Sequence, residues 1–389
     1  MPHAPPLSTL LRRYAAGTVL ACDPVEQGLL NRGYRLRTTR GHYFLKHHFD
    51  PDTADPAAIA RQHQATRLLA DLGIPVAPPL PGRDGRTVAV IGGHAYALHP
   101  WIDGRHRHGT QLTHTQCARL GALLGVVHAG LECVMAPKED TGRRADGSAR
   151  RGGRRGSGSA RGGSAVGESA GTRSAQLVDE RTPRRAQPGA QPGAQTGAHP
   201  VESADPLDTF ALIDDLLARV RRHRPADSFD ELARHRLLER RTLLERHADR
   251  RPPRGGSMGW VHGDFHPFNL LYRGDTPAAI VDWDRLCVQP RAEEAVRAAV
   301  IFFVRPDGTL DLPRTRAYAR AYRRAAGATP SQLAAAVHRL WWERLNDFWM
   351  LRWHYERGDT RADSQFPASS ALVVWWTRAY DAVCDAFVD

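Results

Sequence analysis

Polar residues that could carry out chemistry concentrate in one stretch of the chain. Residues 261–285 read VHGDFHPFNLLYRGDTPAAIVDWDR and include His262, Asp264, Asn269 and Asp282 in a predicted loop, strand, turn and strand. Transfer of a phosphoryl group to a hydroxyl needs a carboxylate that receives the hydroxyl proton and oxygen ligands that hold Mg²⁺ against the phosphates. Asp264 and Asn269 can place a base and a metal ligand on one loop, and Asp282 can add a second ligand. The spacing therefore favours phosphoryl transfer.

Two other interpretations of this stretch remain open. His262, Asp264 and Asn269 could merely hydrogen-bond a tight turn, although the chain has only three asparagines, which makes one at this place unusual. Alternatively, His262, Asp264 and His266 alternate as the metal ligands of a hydrolase on a strand could. That second interpretation lacks a clear second group of ligands in the sequence.

The segments HGDFHPFN and IVDWD resemble those of the aminoglycoside phosphotransferase and choline kinase family, small-molecule relatives of the protein kinases. The resemblance extends over most of the chain outside residues 141–200. It implies an α+β, two-lobed protein-kinase-like fold, with a small antiparallel-sheet N-lobe and a larger, mainly helical C-lobe. It also implies transfer of the γ-phosphate of ATP to a hydroxyl of a small molecule. By this resemblance Asp264 is similar to the catalytic base, Asn269 and Asp282 to the Mg²⁺ ligands, and His262 to the residue that orients the loop.

The elements before this stretch predict a small lobe of strands. Apolar patterning and glycine-containing turns predict an antiparallel meander that two further strands extend across a Gly92-Gly93 turn. The predicted strands are 18–27, 33–39, 42–49, 86–91 and 95–102, and the predicted helices are 7–16 and 55–72. We therefore predict a nucleotide-binding lobe over residues 1–103.

The nucleotide site is expected in this lobe. Residues 27–34, QGLLNRGY, are similar to the family's phosphate-covering loop, which would place Gly28, Asn31 and Gly33 against the phosphates. Lys46 in FLKHH stands on the third strand, where the family has its phosphate-pairing lysine. Because the chain has two lysines and 52 arginines, this position specifically favours a compact ammonium.

Two further features of this lobe can be compared with the family: the segment at its end and the helix after its third strand. Residues 97–104, ALHPWIDG, resemble the hinge that binds adenine, through the carbonyl of Pro100 and the N–H of Ile102, although they could form an ordinary strand between lobes. The family usually pairs its lysine with a glutamate on the helix, and here the matching position is Gln62. An amide can position Lys46 by hydrogen bonding but cannot neutralise it, so full activity implies that another acid substitutes. A pseudokinase, which binds nucleotide without turnover, is a separate alternative.

The C-terminal part predicts a helical lobe that begins at residues 104–136 and continues over 206–389. Apolar residues recur at helical spacing over 112–131, 207–222, 229–247, 290–304, 314–326, 330–357 and 371–387. The segment 330–357 is rich in aromatic residues and carries Glu343 and Asp347 one turn apart. This face suits a cationic or amino-bearing acceptor, or else it is ordinary core and solvated surface. Choline-like amines, amino sugars, aminoglycosides and homoserine-like amino acids all remain open as acceptors.

Composition narrows the class of protein. Residues 141–200 lack aromatic side chains and are dominated by Gly, Ser, Arg, Ala and Pro, so we predict a flexible insert over 137–205. The net charge of +12 reflects a chain-wide preference for arginine, which argues against nucleic-acid binding as the main function. The longest glycine-free apolar run has seven residues, too short to span a membrane, for which ~20 are needed. Five scattered cysteines without a CxxC pair indicate a reducing cytoplasm.

Overall fold

A computed structural model of the chain describes residues 5–25, 31–49, 54–136, 202–253 and 255–389. Most of the flexible insert predicted over 137–205 lies outside the described residues, as does Gly28 of the expected phosphate-covering loop. The last residues of the insert, 202–205, are described: Asp205 caps the helix that begins at Pro206, and the carbonyl of Ala204 accepts a hydrogen bond from Trp342, so the predicted insert extends too far at this end. The described residues form a five-stranded antiparallel sheet followed by a mainly helical part, as the α+β prediction requires.

The N-terminal sheet has the strand order β1-β2-β3-β5-β4. Its strands are β1 (Val19–Val25), β2 (Arg32–Thr38), β3 (Gly41–His48), β4 (Val88–Ile91) and β5 (His94–Pro100). Gly92 and Gly93 join β4 to β5 with φ of +60° and +80°, the left-handed pair that a two-residue hairpin of this twist needs. Lys46 lies opposite Gly33 on one side and Ala97 on the other.

Two helices cover the two faces of this sheet, α1 (Leu7–Arg13) and α2 (Pro56–Asp71). Leu10 and Leu11 of α1 pack into a buried cluster with Leu45 of β3. Because successive side chains of a strand point to opposite faces, Lys46 faces away from α1. Asp55 caps the N-terminus of α2 by accepting hydrogen bonds from the backbone of the first turn.

Two short antiparallel pairs of strands follow in the C-terminal part: β6 (Met258–Val261) with β9 (Cys287–Pro290), and the hairpin of β7 (Leu270–Arg273) with β8 (Thr276–Ile280). The hairpin β7–β8 is hydrogen-bonded to two earlier segments. The backbones of Arg105 and Tyr272 exchange two bonds of 2.9 Å, and the N–H of Ile280 donates to the carbonyl of Pro75 at 2.8 Å. The hairpin therefore joins the chain after α2 and the chain after β5.

The helices of the C-terminal part share one core. They are α3 (His114–Met135), α4 (Pro206–Arg222), α5 (Ser228–His247), α6 (Arg291–Phe303), α7 (Leu312–Ala326), α8 (Pro330–Asn346), α9 (Trp349–Arg352), α10 (Phe366–Arg378) and α11 (Tyr380–Val388). A Cβ at Gly121 of α3 would lie 2.1 Å from the carbonyl oxygen of Tyr318 on α7, so only glycine permits this close crossing. Within the described residues, α3 is the one helix long and apolar enough to cross a membrane, and half of that stretch is buried inside the protein.

The prediction of one helix over 330–357 is wrong. Asp347 adopts an extended conformation after α8, and its side chain accepts a hydrogen bond from the N–H of Trp349, a local bond that ends one helix and starts the next. The chain then continues through α9 into one π-helical turn, Trp353–Arg357. The predicted last helix is likewise two helices, α10 and α11.

The aromatic face proposed for the acceptor is mostly core. Trp341 and Trp342 are at most 1% exposed and belong to the main cluster of buried residues. Glu343 pairs with Arg297 of α6 at 2.8 Å. The structure therefore favours the second of the two sequence interpretations for these residues.

Candidate active site

Lys46 joins the sheet to the turn after β8. Its ammonium lies 2.6 Å from a carboxylate oxygen of Asp282 and 2.7 Å from one of Asp284, and the residue is only 8% exposed. Burial by itself lowers the pKa of Lys46, but the two carboxylates outweigh it and raise that pKa. The ammonium therefore stays charged between two acids.

Asp284 is the acid that the sequence interpretation missed. It holds Lys46, its other carboxylate oxygen accepts a hydrogen bond of 2.5 Å from the side-chain amide of Asn31, and its backbone carbonyl accepts one of 2.8 Å from Gln62. Burial, together with the neighbouring Asp282, raises the pKa of Asp284 to about 6. The second aspartate of the VDWDR segment was the signal available for it.

The expectation that Gln62 faces the lysine is therefore corrected. The amide of Gln62 is used on the backbone of Asp284, and no hydrogen bond joins it to Lys46 within the described chain. Helix α2 still contributes to the site, but it does so by fixing the turn that carries Asp284. The acid that substitutes for the missing glutamate comes from the helical part of the chain.

Asp282 has a backbone conformation that few residues other than glycine adopt, with φ of +63°. One carboxylate oxygen, Oδ1, accepts the hydrogen bond from Lys46. Burial raises the pKa of Asp282, but the ammonium of Lys46 outweighs burial and lowers it to about 2. Across the described residues, its other oxygen accepts no hydrogen bond. Asp282 is thus an ionised carboxylate with one oxygen open to a ligand.

The loop after β6 is shaped by His262 and Gly263. His262 is fully buried; its Nε2 donates to the carbonyl of Val281 at 3.0 Å and its Nδ1 accepts from the N–H of Asp264 at 3.2 Å. Burial lowers the pKa of His262, which favours the neutral ring that this pattern needs. Gly263 has φ of +84°, and a Cβ there would lie 2.1 Å from the carbonyl oxygen of Arg285. His262 therefore positions the backbone of Asp264.

Glu294 of α6, which the sequence interpretation did not include, holds the loop after β6 through the backbone of that loop. It is 3% exposed, and its carboxylate accepts the N–H of Gly263 at 2.5 Å, the N–H of His262 at 3.2 Å and Nε2 of His128 at 2.7 Å. Burial opposes ionisation, but the hydrogen bond from His128 and the backbone donors outweigh it and lower the pKa of Glu294. Only the fold brings α3 and α6 to this loop, so helical spacing gave no signal of it.

We expect Glu294→Gln to lower the free energy of unfolding by about 3 kcal/mol, because an amide NH₂ must then face a backbone or imidazole donor in a buried place. The carboxylate stabilises the fold above the ordinary pKa of glutamate, and this stability is lost as the pH falls through its lowered pKa. The difference in unfolding free energy should therefore be largest near neutrality and shrink below about pH 4.

Denaturant unfolding over a pH series measures this difference. Glu132→Gln is the matched control, because Glu132 is an exposed acid that pairs with Arg291 on the surface at 2.7 Å. A Glu294→Gln protein as stable as the control variant at every pH would contradict the anchoring role.

Asp264 and Asn269 lie on the same loop and are joined by a hydrogen bond. The side-chain amide of Asn269 donates to the backbone carbonyl of Asp264 at 2.9 Å, which leaves its Oδ1 without a donor in the part of the chain that is described. A carboxylate oxygen of Asp264 lies 3.5 Å from Nε2 of His266 and 3.9 Å from Nε of Arg285. Burial raises the pKa of Asp264, but these neighbours outweigh burial and lower that pKa, so the carboxylate is ionised. Asp264 is also partly exposed.

The other described residues that were expected to contact the nucleotide lie on β2 or beside it and at the end of β5. Asn31 uses its side chain inside the protein, on Asp284 and on the N–H of Phe49, rather than at a loop tip. A Cβ at Gly33 would lie 2.7 Å from the ring of Phe44, so this glycine admits a neighbouring side chain. Pro100 ends β5, and the N–H of Ile102 just beyond it finds no backbone acceptor among the residues described. That N–H is available to a ligand.

The structure disfavours the alternative metal site. Both ring nitrogens of His262 are used in hydrogen bonds, so neither faces a metal together with Asp264 and His266. Within residues 5–25, 31–49, 54–136, 202–253 and 255–389, no group of three or more His, Cys, Asp or Glu side chains could hold a metal ion.

For the ATP use that the family resemblance implies, we expect Asp284→Asn to raise the KM for ATP about tenfold and to lower kcat, because Lys46 loses one of its two charged partners and is less firmly held. Gln62→Glu should not improve the use of ATP, because a carboxylate would replace the donor that the carbonyl of Asp284 now accepts. Steady-state kinetics with varied ATP measure both effects. Better ATP use by Gln62→Glu would mean that this side chain faces Lys46 after all.

The chain is similar to known proteins over most of its length. A model of the phosphotransferase enzyme family matches residues 21–328. The homoserine kinase of Methylobacillus flagellatus is 22% identical over 356 residues, 87% of this chain and 83% of that protein. The homoserine kinase of Rhodopseudomonas palustris is 30% identical over 135 residues, 33% of this chain, and the matched part spans 38% of that protein's length.

One solved structure shows the fold. Spectinomycin phosphotransferase in complex with ADP and spectinomycin aligns with a TM-score of 0.57 at 12% identity, and the alignment covers 98% of this chain and all of that one. The predicted two-lobed, kinase-like α+β fold is thereby confirmed.

Proposed function

The chain belongs to the phosphotransferase enzyme family, and on that premise we propose that it is an ATP-dependent kinase acting on a hydroxyl of an amino-bearing small molecule. The observation that carries the proposal is the combination of Asp264 and Asn269 on one loop with Asp282 ion-paired to Lys46. These groups supply a base, oxygen ligands and a cation for phosphate, the three things that phosphoryl transfer needs.

In this proposal the carboxylate of Asp264 accepts the proton of the acceptor hydroxyl. The hydroxyl oxygen forms a bond to the γ-phosphorus, the bond from that phosphorus to the β–γ bridging oxygen breaks, and ADP leaves. The lowered pKa of Asp264 keeps the carboxylate able to accept a hydrogen bond at neutral pH, and the positioned base is oriented by His262 through the backbone. His266 and Arg285 stabilise its charge before the acceptor arrives.

The residues present fit a magnesium ion. Oδ1 of Asn269 and Oδ2 of Asp282 lack donors in the described chain, and hard oxygen ligands of this kind are those that Mg²⁺ prefers. We propose these two side chains as its ligands. When bound, the ion neutralises negative charge on the phosphates.

The nucleotide is proposed to lie between Lys46 and the hinge. Lys46 is the buried cation available to the phosphates, and Gly28, Asn31 and Gly33 are proposed to border them. The N–H of Ile102 and the carbonyl of Pro100 are proposed to hydrogen-bond adenine. What supports the hinge assignment is that Ile102 has a backbone donor without an acceptor in the described chain, immediately after the strand that pairs with the strand of Lys46.

The amino-bearing acceptor is supported by the relatives, since both curated proteins are named homoserine kinases and homoserine carries an amino group.

We further propose an N-lobe over residues 1–103, a C-lobe over 104–136 and 206–389, and an insert between the two parts of the C-lobe. A cytoplasmic location is supported by all five cysteines being free thiols. We propose neither a nucleic-acid nor a membrane partner.

The test measures the ADP that the protein forms from ATP, with Mg²⁺ present, when each member of a panel of hydroxyl acceptors is added. The panel contains choline, amino alcohols, hydroxy amino acids and aminoglycosides. We expect turnover with at least one amino-bearing member and little ADP without an acceptor. If the protein bound ATP but formed no ADP with any acceptor of the panel, the proposal would be contradicted and a pseudokinase indicated.

A further inference from the structure

Arg35 of β2 lies on the same face of the N-terminal sheet as Lys46. It is paired with Phe44 of β3, and Gly33, two residues earlier on β2, is paired with Lys46. Directly opposite residues of an antiparallel pair project to one face, and alternate residues of a strand do so too. The face that holds the proposed phosphate-binding ammonium therefore carries a second cation.

The side chain of Arg35 reaches across β3 to the segment proposed as the hinge. Its guanidinium carbon lies 4.6 Å from the centre of the ring of Trp101, which is within the range of a cation–π contact. Trp101 stands between Pro100 and Ile102, whose backbone groups are proposed to bind adenine. It is anchored there, because its Nε1 donates to Asp103 at 3.0 Å and its backbone N–H donates to β3 at 3.2 Å. Arg35 is thus held beside the hinge by a fixed ring.

No acid in the described part of the chain accounts for this position of Arg35. Asp23 of β1 is directly opposite Arg35 in the register and projects to the same face, but the two side chains form no ion pair. Among the described residues, Arg35 forms no other ion pair either, and its Nε is buried without a hydrogen-bond acceptor. The guanidinium therefore extends towards the hinge instead of pairing with the acid beside it.

Phe44 lies between Arg35 and His99 in the register of the sheet. It is partly exposed, and its ring lies 6.4 Å from that of His99, the residue before Pro100. A partly exposed aromatic ring flanked by a guanidinium is a surface on which a nucleobase can stack, since every base has a π face and arginine adds a cation–π contribution. The wall beside the proposed hinge therefore has the chemistry that suits a base.

The two cations of this face are separated along the strands. Two residues of a strand span about 7 Å, so the level of Arg35 is about 7 Å from the level of Lys46. Lys46 faces the turn after β8, where it pairs with Asp282, whereas Arg35 faces Trp101. This arrangement puts Lys46 at the phosphate end and Arg35 at the base end of the proposed nucleotide site.

We propose that Arg35 recognises the nucleobase: one face of its guanidinium lies on Trp101, and the other face stacks on the purine of the bound nucleotide. Trp101 is then a positioning residue that acts through Arg35. The inference rests on the proposed function and adds a residue that determines the affinity of that site for the base. Its distinguishing consequence is that Arg35 strengthens the binding of adenosine and ATP but not the binding of the triphosphate group alone.

The first experiment measures the binding of ATP, adenosine and inorganic tripolyphosphate to the full chain with Mg²⁺ present, by titration calorimetry and by competition with ATP. Arg35→Gln should raise the Kd for ATP and for adenosine by the same factor, about fivefold or more, and leave the Kd for tripolyphosphate unchanged. The unchanged Kd also shows that the variant is folded. A larger effect on tripolyphosphate than on adenosine would assign Arg35 to the phosphates and overturn the inference. An unchanged Kd for adenosine would overturn it as well.

Two further variants separate stacking from charge. Arg35→Lys keeps the charge but has no planar group, so it should recover only part of the lost affinity for ATP, and complete recovery would overturn stacking. Arg37→Gln is the matched control, because Arg37 is an exposed arginine two residues further along the same face of β2. We expect it to change the Kd for ATP less than about twofold. An effect equal to that of Arg35→Gln would mean that the charge of the strand, and not position 35, is responsible, and would overturn the inference.

A double-mutant cycle tests the role of Trp101. Trp101→Leu should raise the Kd for adenosine, and Trp101→Phe, which keeps an aromatic ring, should retain most of the affinity. Because Trp101 acts through Arg35, the double variant Trp101→Leu with Arg35→Gln should bind adenosine no more weakly than Arg35→Gln alone. Additive effects of the two changes would overturn the positioning role.

ADP formation distinguishes this inference from the proposed function. If no acceptor of the panel gives ADP but Arg35→Gln selectively weakens ATP and adenosine, the kinase function fails and recognition of the base by Arg35 stands. If ADP forms and Arg35→Gln leaves both the KM for ATP and the Kd for adenosine unchanged, the kinase function stands and the inference is overturned. Absence of ATP binding to the wild-type chain would overturn both.

Discussion

Replacement of Asp264 by asparagine is expected to lower kcat by roughly 10²- to 10⁴-fold, the usual contribution of a positioned general base. Asparagine has nearly the same shape, so the loop that His262 and Glu294 hold should keep its conformation. Affinity for the nucleotide should change less than a few-fold, because Asp264 does not contact Lys46 or Asp282. The loss should therefore appear in kcat and not in nucleotide binding.

Single-turnover kinetics and nucleotide titration on the same protein separate these two quantities. Asp71→Asn serves as the control, since Asp71 is an exposed carboxylate at the end of α2, on the other lobe. A variant at position 264 that retains more than a tenth of the wild-type kcat would exclude Asp264 as the base.

The second large effect is expected at Asp282. Asp282→Asn should lower kcat/KM for ATP by about 10²- to 10³-fold, because the proposed magnesium site loses a charged oxygen and Lys46 loses the charge of the partner 2.6 Å away. Asparagine is the appropriate replacement, since it tolerates the positive φ of this position better than alanine does. The change therefore tests the charge of the side chain with little strain on the backbone.

A magnesium titration distinguishes this variant from the one at Asp264. The Mg²⁺ concentration for half-maximal turnover should rise in Asp282→Asn and stay unchanged in Asp264→Asn. If both variants showed the same magnesium dependence as the wild type, Asp282 would not be a metal ligand.

Local patterns were sufficient for most elements of the fold. Strand alternation and glycine turns predicted all five strands of the N-terminal sheet, and Gly92 and Gly93 form the predicted turn. The helix over 330–357 was predicted as continuous because its apolar spacing continues past the break. The break depends on one side-chain hydrogen bond, from the N–H of Trp349 to Asp347, which periodicity does not report.

The candidate site was predicted in part for a related reason. His262, Asp264, Asn269 and Asp282 lie within 21 residues of one another, so their spacing alone suggested a shared task. Asp284 and Glu294 act through partners that are far away in sequence. Asp284 meets Lys46 from across the two lobes, and Glu294 meets a histidine of α3. Such contacts follow from the packing of distant elements, which one sequence does not reveal.

The hairpin β7–β8 restricts how the two parts of the molecule can move. Its backbone bonds to Pro75 and to Arg105 fasten it to the chain on either side of β4 and β5. Arg105 belongs to the proposed C-lobe, so of these bonds the one from the N–H of Ile280 to Pro75 crosses to the N-lobe. Sliding of one lobe along the other would break that bond, whereas a rotation whose axis passes near the hairpin would preserve it. Domain motion in this protein is therefore expected to be a swing about the hairpin, so that displacements grow with distance from it and are smallest at the turn that carries Asp282.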